Sequence, residues 1–246
     1  QFQSLAYKEL LPSGGPVRAQ IIGKPNPQKE QQANRVKDYM NWQIMDQMKE
    51  YESDFDQMLF YLPLSGSAFK KVYYDELMQR AVSKFIPADD LVVPYTATSL
   101  DDCESIIHVI RMSENELRKK QVGGFYRDIE LMPTHLIESE LQEKERKLEG
   151  TARGRDDRVF TIFECHVNVD LEGFEDSGQD GQPTGIKLPY VVTIEEGTRK
   201  VLSVRRNYDV KDPLKKRIDY FVHFKFLPGL GFYGFGLIHM IGGLSR

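Results

Sequence analysis

The segment GLGFYG (229–234) spells G-x-G-x-x-G after a run of strand-forming residues. That pattern binds a dinucleotide when it joins strand to helix in a βαβ unit and an acidic residue about 20 positions on holds the ribose. Here Pro228 intervenes, Phe232 and Tyr233 are bulky where backbone should approach a pyrophosphate, and no acidic residue follows Gly234. The segment reads as a bend in which small and aromatic residues pack closely. EDSGQDGQ (175–182) places Asp176, Asp180 and Gly181 at positions 1, 5 and 6 of a calcium loop, but Gly178 stands at position 3 and Lys187 at position 12, where a bidentate Glu is required. A polar surface loop accounts for the same residues. Cys165 and His166 are adjacent on an expected strand and point to opposite faces, while Cys103 and His108 lack a CxxC or HxxxH partner. Both thiols read as core residues. Asp101, Asp102 and Glu104 follow Thr-Ser-Leu and read as turn residues. His108, His166 and His223 lie in apolar strand contexts, where a core histidine is commoner than a general base. No Walker A, HExxH, GxSxG or kinase-like set occurs. The expectation is no enzyme, no catalytic residues, no cofactor and no metal.

The densest positive stretch, RRNYDVKDPLKKR (205–217), could touch phosphate, but Asp209 and Asp212 dilute it and a solvated loop is the plainer reading. The whole chain has 33 Lys and Arg against 37 Asp and Glu, net charge -4, pI ≈ 5.8. It therefore does not hold nucleic acid by bulk positive charge. With 246 residues, 40% hydrophobic and 28% charged, it can bury a core without staples, and disorder and low-complexity classes are excluded. Two cysteines are too few for a secreted disulfide framework. A run of about 18 apolar residues, a leader and an Asn-x-Ser/Thr sequon are all missing from the sequence, so no membrane partner is expected. The ends, Gln1 and the apolar IHMIGGLSR, suggest a piece of a longer protein.

The elements that would position these residues follow from periodicity. Pro12, Gly14, Gly15, Pro16, Gly23, Pro25 and Pro27 predict an extended arm over 1–26. Asn26 then caps a helix with Pro27 at its first position, and Val36, Met40, Ile44, Met48, Tyr51, Phe55 and Leu59 recur at helical spacing. Continuous over 27–62, that helix would run roughly 54 Å; the alternatives are a break near Glu52–Asp54 or reach across a neighbouring subunit. Pro63 should stop it. Strands are expected in SAFKKVYYDE, AVSKFI, Leu91–Val93, ESIIHVIRM, VFTIFECHVNV, LPYVVTIEE, KVLSVRRN and YFVHFKF, forming a mixed or antiparallel sheet. ESIIHVIRM reads as a strand buried on both faces. Glu196-Gly197-Thr198 predicts a hairpin turn. Ser113 and Glu116 form a capping box for SENELRKKQ, which Gly123-Gly124 ends, and a charge-dense outer helix is expected at 134–149. Repeats of 20–50 residues are not visible.

Three of these stretches together resemble portal proteins of tailed bacteriophages, particularly those of short-tailed phages: LPLSGSAFKKVYYDE (62–76), FIPADDLVVPYTATSLDDCESIIHVIRMSENEL (85–117) and YFVHFKFLPGLGFYGFGLIHMIGG (220–243). The middle one is the most specific, with a Pro-Ala-Asp-Asp loop, a short apolar strand, an acidic turn, a strand ending in Arg-Met and a capped helix in the order of a portal wing. The last resembles the glycine–aromatic passage into the helices around the channel.

The resemblance implies an α+β fold: a mixed, largely antiparallel wing sheet over 63–234 with two short helices, a long N-terminal helix, and at 235–246 the start of a truncated stem-type helix. It implies a structural subunit of a ring, usually of twelve, at one capsid vertex of the virion, assembled in the host cytoplasm. Its partners would be other copies of itself, the major capsid protein, the terminase large subunit, a head–tail adaptor and the double-stranded DNA packaged and ejected through the channel. The stem, clip and tunnel loop would follow Arg246, so DNA-contact residues are not assigned. Mild acidity suits a conduit in which DNA must slide. Another head–tail adaptor or tail protein, or a nucleotide- or nucleic-acid-processing enzyme using GLGFYG, remain alternatives.

Overall fold

The computed structural model describes residues 2–132, 159–177 and 182–242. The expected helix at 134–149 lies outside them, as do Gly178, Asp180, Gly181 and the end of the 235–246 segment. The chain is α+β, with two antiparallel sheets and five α-helices among the described residues. It divides into two compact units, the first drawn from Gln1–Asp89, Ala97–Asp101 and Asp219–Arg246, the second from Asp90–Thr96 and Asp102–Ile218.

In the first unit, α1 (Phe2–Leu10) occupies part of the stretch expected to be extended. Every breaker in that stretch lies at Pro12 or later, and the nine residues before it place Ala6 and Tyr7 against the core of α3 (Tyr51–Ser65). Gln3 Nε2 donates to Asp56 Oδ1 at 2.7 Å, and the Tyr7 hydroxyl donates to the Glu52 carboxylate. Helix α2 (Pro27–Trp42) starts at the Asn26 cap, whose side chain accepts from Gln28 N.

The helix expected over 27–62 is broken. A π-turn follows at Gln43–Gln47, Met48 leaves helical geometry at φ -86, ψ 77, and α3 begins at Tyr51. Met48 is buried, and turning the chain there lets Phe55, Met58, Leu59 and Leu62 face Leu11 and Ala68. The break falls a few residues before Glu52–Asp54. Pro63 lies inside α3, in its last turn; Gly66, at φ +83, ends the helix.

Strand β1 (Ser67–Asp75) pairs antiparallel with β2 (Arg80–Pro87) on one side and β8 (Phe221–Lys225) on the other. The second unit holds the other sheet, in the order β3 (Leu91–Val92), β4 (Ser105–Ser113), β5 (Val159–Val169), β6 (Leu188–Glu195) and β7 (Val201–Arg206), all antiparallel. The single sheet expected from sequence is thus two, because alternation reveals strands without saying which of them pair. Strand β4 is not buried on both faces: only Ile106 and Met112 are buried, and most of its other side chains are half-exposed. Helix α4 (Glu114–Val122) has the expected capping box, with Glu116 N donating to Ser113 Oγ at 3.3 Å and Ser113 N to the Glu116 carboxylate. Its Leu117 joins Met112, Tyr126, Phe160, Ile162 and Leu202 in that unit's core. A short helix, α5 (Leu237–Ile241), ends the described chain.

Candidate functional site

The residues singled out for chemistry are scattered. His166 is 3% exposed, with Nε2 2.7 Å from Glu164 Oε1 on the same face of β5; Cys165, between them, points the other way, its thiol pushed up by burial. Cys103 is buried with its thiol likewise raised, first by burial and then by Asp102, and the two cysteines form no disulfide. Asp101, Asp102 and Glu104 are exposed around the turn before β4. Among the described residues no group of three or more His, Cys, Asp or Glu side chains is placed to hold a metal ion. In the calcium-like loop, the Asp176 carboxylate is engaged by Lys215 and by Thr184 Oγ1 at 2.7 Å, which hold it below the usual carboxylate range.

The basic run 205–217 is partly consumed by its own fold. Arg205 stacks on Phe125, Lys215 pairs with Asp176, and Arg217 donates to Cys103 O at 2.6 Å. Asp209 and Asp212, which diluted the run in sequence, accept backbone N–H bonds from Lys211, Leu214 and Lys216. They are turn-forming residues.

The glycine–aromatic segment is the most specifically built feature of the first unit. Phe226 N donates to Gly66 O at 3.0 Å, and Gly234 N donates to Ser67 Oγ at 2.8 Å. The backbones of 64–67 and 234–236 touch without intervening side chains. A Cβ on Gly66 would collide with Gly234 O, Gly236 N and Phe235 C; one on Gly234 would meet Gly66 O and stand 2.7 Å from Leu227 O. Only glycine permits this approach. Phe235 N donates to Leu227 O at 2.9 Å, closing the loop that carries Phe232. That buried ring stacks on His223, which stacks on Phe69, with centroids 4.8 and 4.4 Å apart. His223 Nε2 is 3.1 Å from Ser67 Oγ. Burial, reinforced by Lys225, lowers His223 to about 4, so it is neutral at pH 7.

A serine hydroxyl beside an imidazole invites a nucleophile reading, but Ser67 is 1% exposed and its oxygen accepts the Gly234 N–H. The pair is a packing node. Nor does the segment offer a phosphate cradle: protein backbone lies against two of its glycines, Gly229 and Gly234, and α5 has five residues, with Gly236 N already donating to His239 Nδ1 at 3.1 Å. Its effect is mechanical: one backbone junction fixes the end of α3, the start of β1, the exit of β8 and the entry to α5.

Sequence reasoning found the bend but missed its seat. Ser65-Gly66-Ser67 carries the usual turn residues, and nothing local marks it as the surface on which residues some 170 positions later pack. It also missed Glu195, 0% exposed, whose carboxylate accepts from Gly197 N at 2.7 Å, Thr198 N at 2.6 Å and Thr198 Oγ1 at 2.5 Å and so builds the β6–β7 turn.

Among the described residues no helix is long and apolar enough to cross a membrane. No family model matches the sequence, and no curated protein matches it significantly.

Proposed function

We propose that the chain is the wing and adjoining core of a bacteriophage portal subunit, a structural component of a ring at one capsid vertex through which DNA is packaged and ejected. The observation that carries the reading is the glycine–aromatic junction, in which the passage after β8 rests backbone to backbone on the α3–β1 turn and leads into α5. A conduit subunit needs a rigid joint between its sheet-bearing body and the helices lining a channel. The order of the middle stretch adds support: a 3₁₀ turn at Ala88–Asp90, β3, the acidic turn, β4 running through Arg111-Met112 to Ser113, and α4 capped by that Ser113.

Helix α2 adds a third line. It has no buried residue, and it exposes Val36, Tyr39, Met40 and Trp42. An isolated helix of 16 residues is marginal in water, and apolar exposure of this kind suits contact between subunits. Head-to-tail rings join unlike patches of one chain. On this reading the protein catalyses nothing, and its partners are other copies of itself, capsid protein, terminase, head–tail adaptor and DNA.

Native mass spectrometry and negative-stain imaging of the full-length protein test the proposal. Closed rings of about twelve subunits are expected, and a monomer at every concentration overturns it. The enzyme alternative has its own test: titration with nucleotides and divalent metals should give no specific binding and no turnover.

A further inference from the structure

The outer edge of β7 lies beside a cavity that the portal reading leaves unused. In the β6–β7 ladder Asn207 N donates to Pro189 O at 3.0 Å, and Val204 stands opposite Val192. Main-chain groups alternate sides along an antiparallel strand, so the Val204 N–H and C=O face away from β6, and no hydrogen bond to them is formed among the described residues. Nearer the start of β7 the same edge is covered: Arg127 N donates to Leu202 O at 2.9 Å, and Lys200 Nζ to Glu130 O at 3.1 Å. Gly124–Arg127 and Val201–Arg205 together line a cavity of about 440 Å³.

Its walls are cationic on a chain of net charge -4. The Arg205 guanidinium lies 3.7 Å from the Phe125 ring centroid and donates to Phe125 O at 3.4 Å, so it is held in place. Exposed Arg127 is the second cation in the lining. Asp128, next in sequence, pairs with Arg118. A free strand edge recognises an extended backbone, and a pre-placed guanidinium recognises carboxylate.

We propose that this groove binds an extended acidic peptide, which adds a strand to β7 through the Val204 main chain and places carboxylates against Arg205 and Arg127. The charge complementarity selects an acidic partner, and the unpaired edge selects a peptide over nucleic acid, whose backbone has no N–H to add to the ladder. The inference does not depend on ring assembly.

The test is fluorescence anisotropy of the full chain with a labelled, N-acetylated Glu-Val-Glu-Val-Glu peptide. Saturable binding is expected that weakens at least tenfold in Arg205→Ala, weakens also in Arg127→Ala, and falls as salt rises. A peptide N-methylated at its three central amides keeps its charge and should bind at least tenfold more weakly. Arg127 is exposed, so its variant reads the groove even if loss of the Arg205 stack perturbs folding. No binding of the acidic peptide, equal binding of the N-methylated one, or tighter binding of an eight-residue oligothymidylate would each overturn the proposal.

Discussion

Lys70 sits in an environment at odds with its charge. It lies on β1 at 4% exposure, its ammonium 4.1 Å from the Tyr51 ring centroid and 3.4 Å from Ser83 Oγ. Burial lowers its pKa to about 8, against the opposing pull of Asp54 and Glu50. Between about pH 8 and 10.5 the unfolded chain binds more protons at this position than the folded one, so this group makes stability rise with pH across that window. Lys70→Met should therefore stabilise the protein by about 1 kcal/mol at pH 7, with the gain shrinking toward pH 10.5 in denaturant titrations. His223 acts in the opposite range. Its folded pKa near 4 lies below the ordinary 6.5, so its contribution is complete above pH 6.5 and is lost as pH falls toward 4. Asn207 is 0% exposed, and among the described residues its side-chain Nδ2 and Oδ1 have no hydrogen-bond partner. Replacing an unpaired buried amide by an apolar group of similar shape removes a desolvation cost, so Asn207→Leu should leave the melting temperature unchanged or raise it, whereas Asn207→Asp should lower it by several degrees.

At the scale of elements, caps and turns were legible because their chemistry is local. Asn26 with Pro27, Ser113 with Glu116, and the Glu196-Gly197-Thr198 turn all stand where spacing placed them. Helix continuity was not legible, since the spacing from Val36 to Leu59 is the same on a straight helix and on two joined by a π-turn. The choice fell to Met48 and to the core that α3 shares with Leu11 and Ala68. Pro63 was misread for a similar reason: a proline in the last turn removes one N–H bond but does not prevent the helix from reaching Gly66. Gly66 is the sharper determinant. Gly66→Ala meets both the left-handed conformation, worth about 1–2 kcal/mol, and a backbone collision with 234–236. It should cost at least about 2 kcal/mol and loosen α5, visible as faster amide exchange at 234–242. Gly231, with nothing within 4 Å of a built Cβ, is the control, and Gly231→Ala should be close to neutral.

For the whole molecule, the prediction concerns assembly. If α2 contacts a neighbouring subunit, Met40→Ser with Trp42→Ser should weaken ring formation at least tenfold in sedimentation velocity. Circular dichroism and the midpoint of monomer unfolding should stay near those of the parent, because neither residue is buried within the chain. Full ring yield from the double variant would remove α2 from the proposed interface. The division into two units was not foreseen, and the expected wing over 63–234 draws on both of them. Strand alternation carries no label for its sheet: β1 and β2 read much like β4 and β5, yet the further neighbour of β1 is β8 and that of β5 is β6.

The sequence by itself determined the α+β class, nearly every strand, and the caps of α2 and α4, since each depends on residues within a few positions of one another. Tertiary structure alone decided that Gly66 and Gly234 meet, that His223 is buried against Phe69 and Phe232 and held neutral, that Lys70 is buried, and that among the described residues nothing pairs with the Val204 main chain at the edge of β7. Those outcomes rest on contacts between residues up to about 170 positions apart, and only the packed chain sets their distances and their exclusion of water.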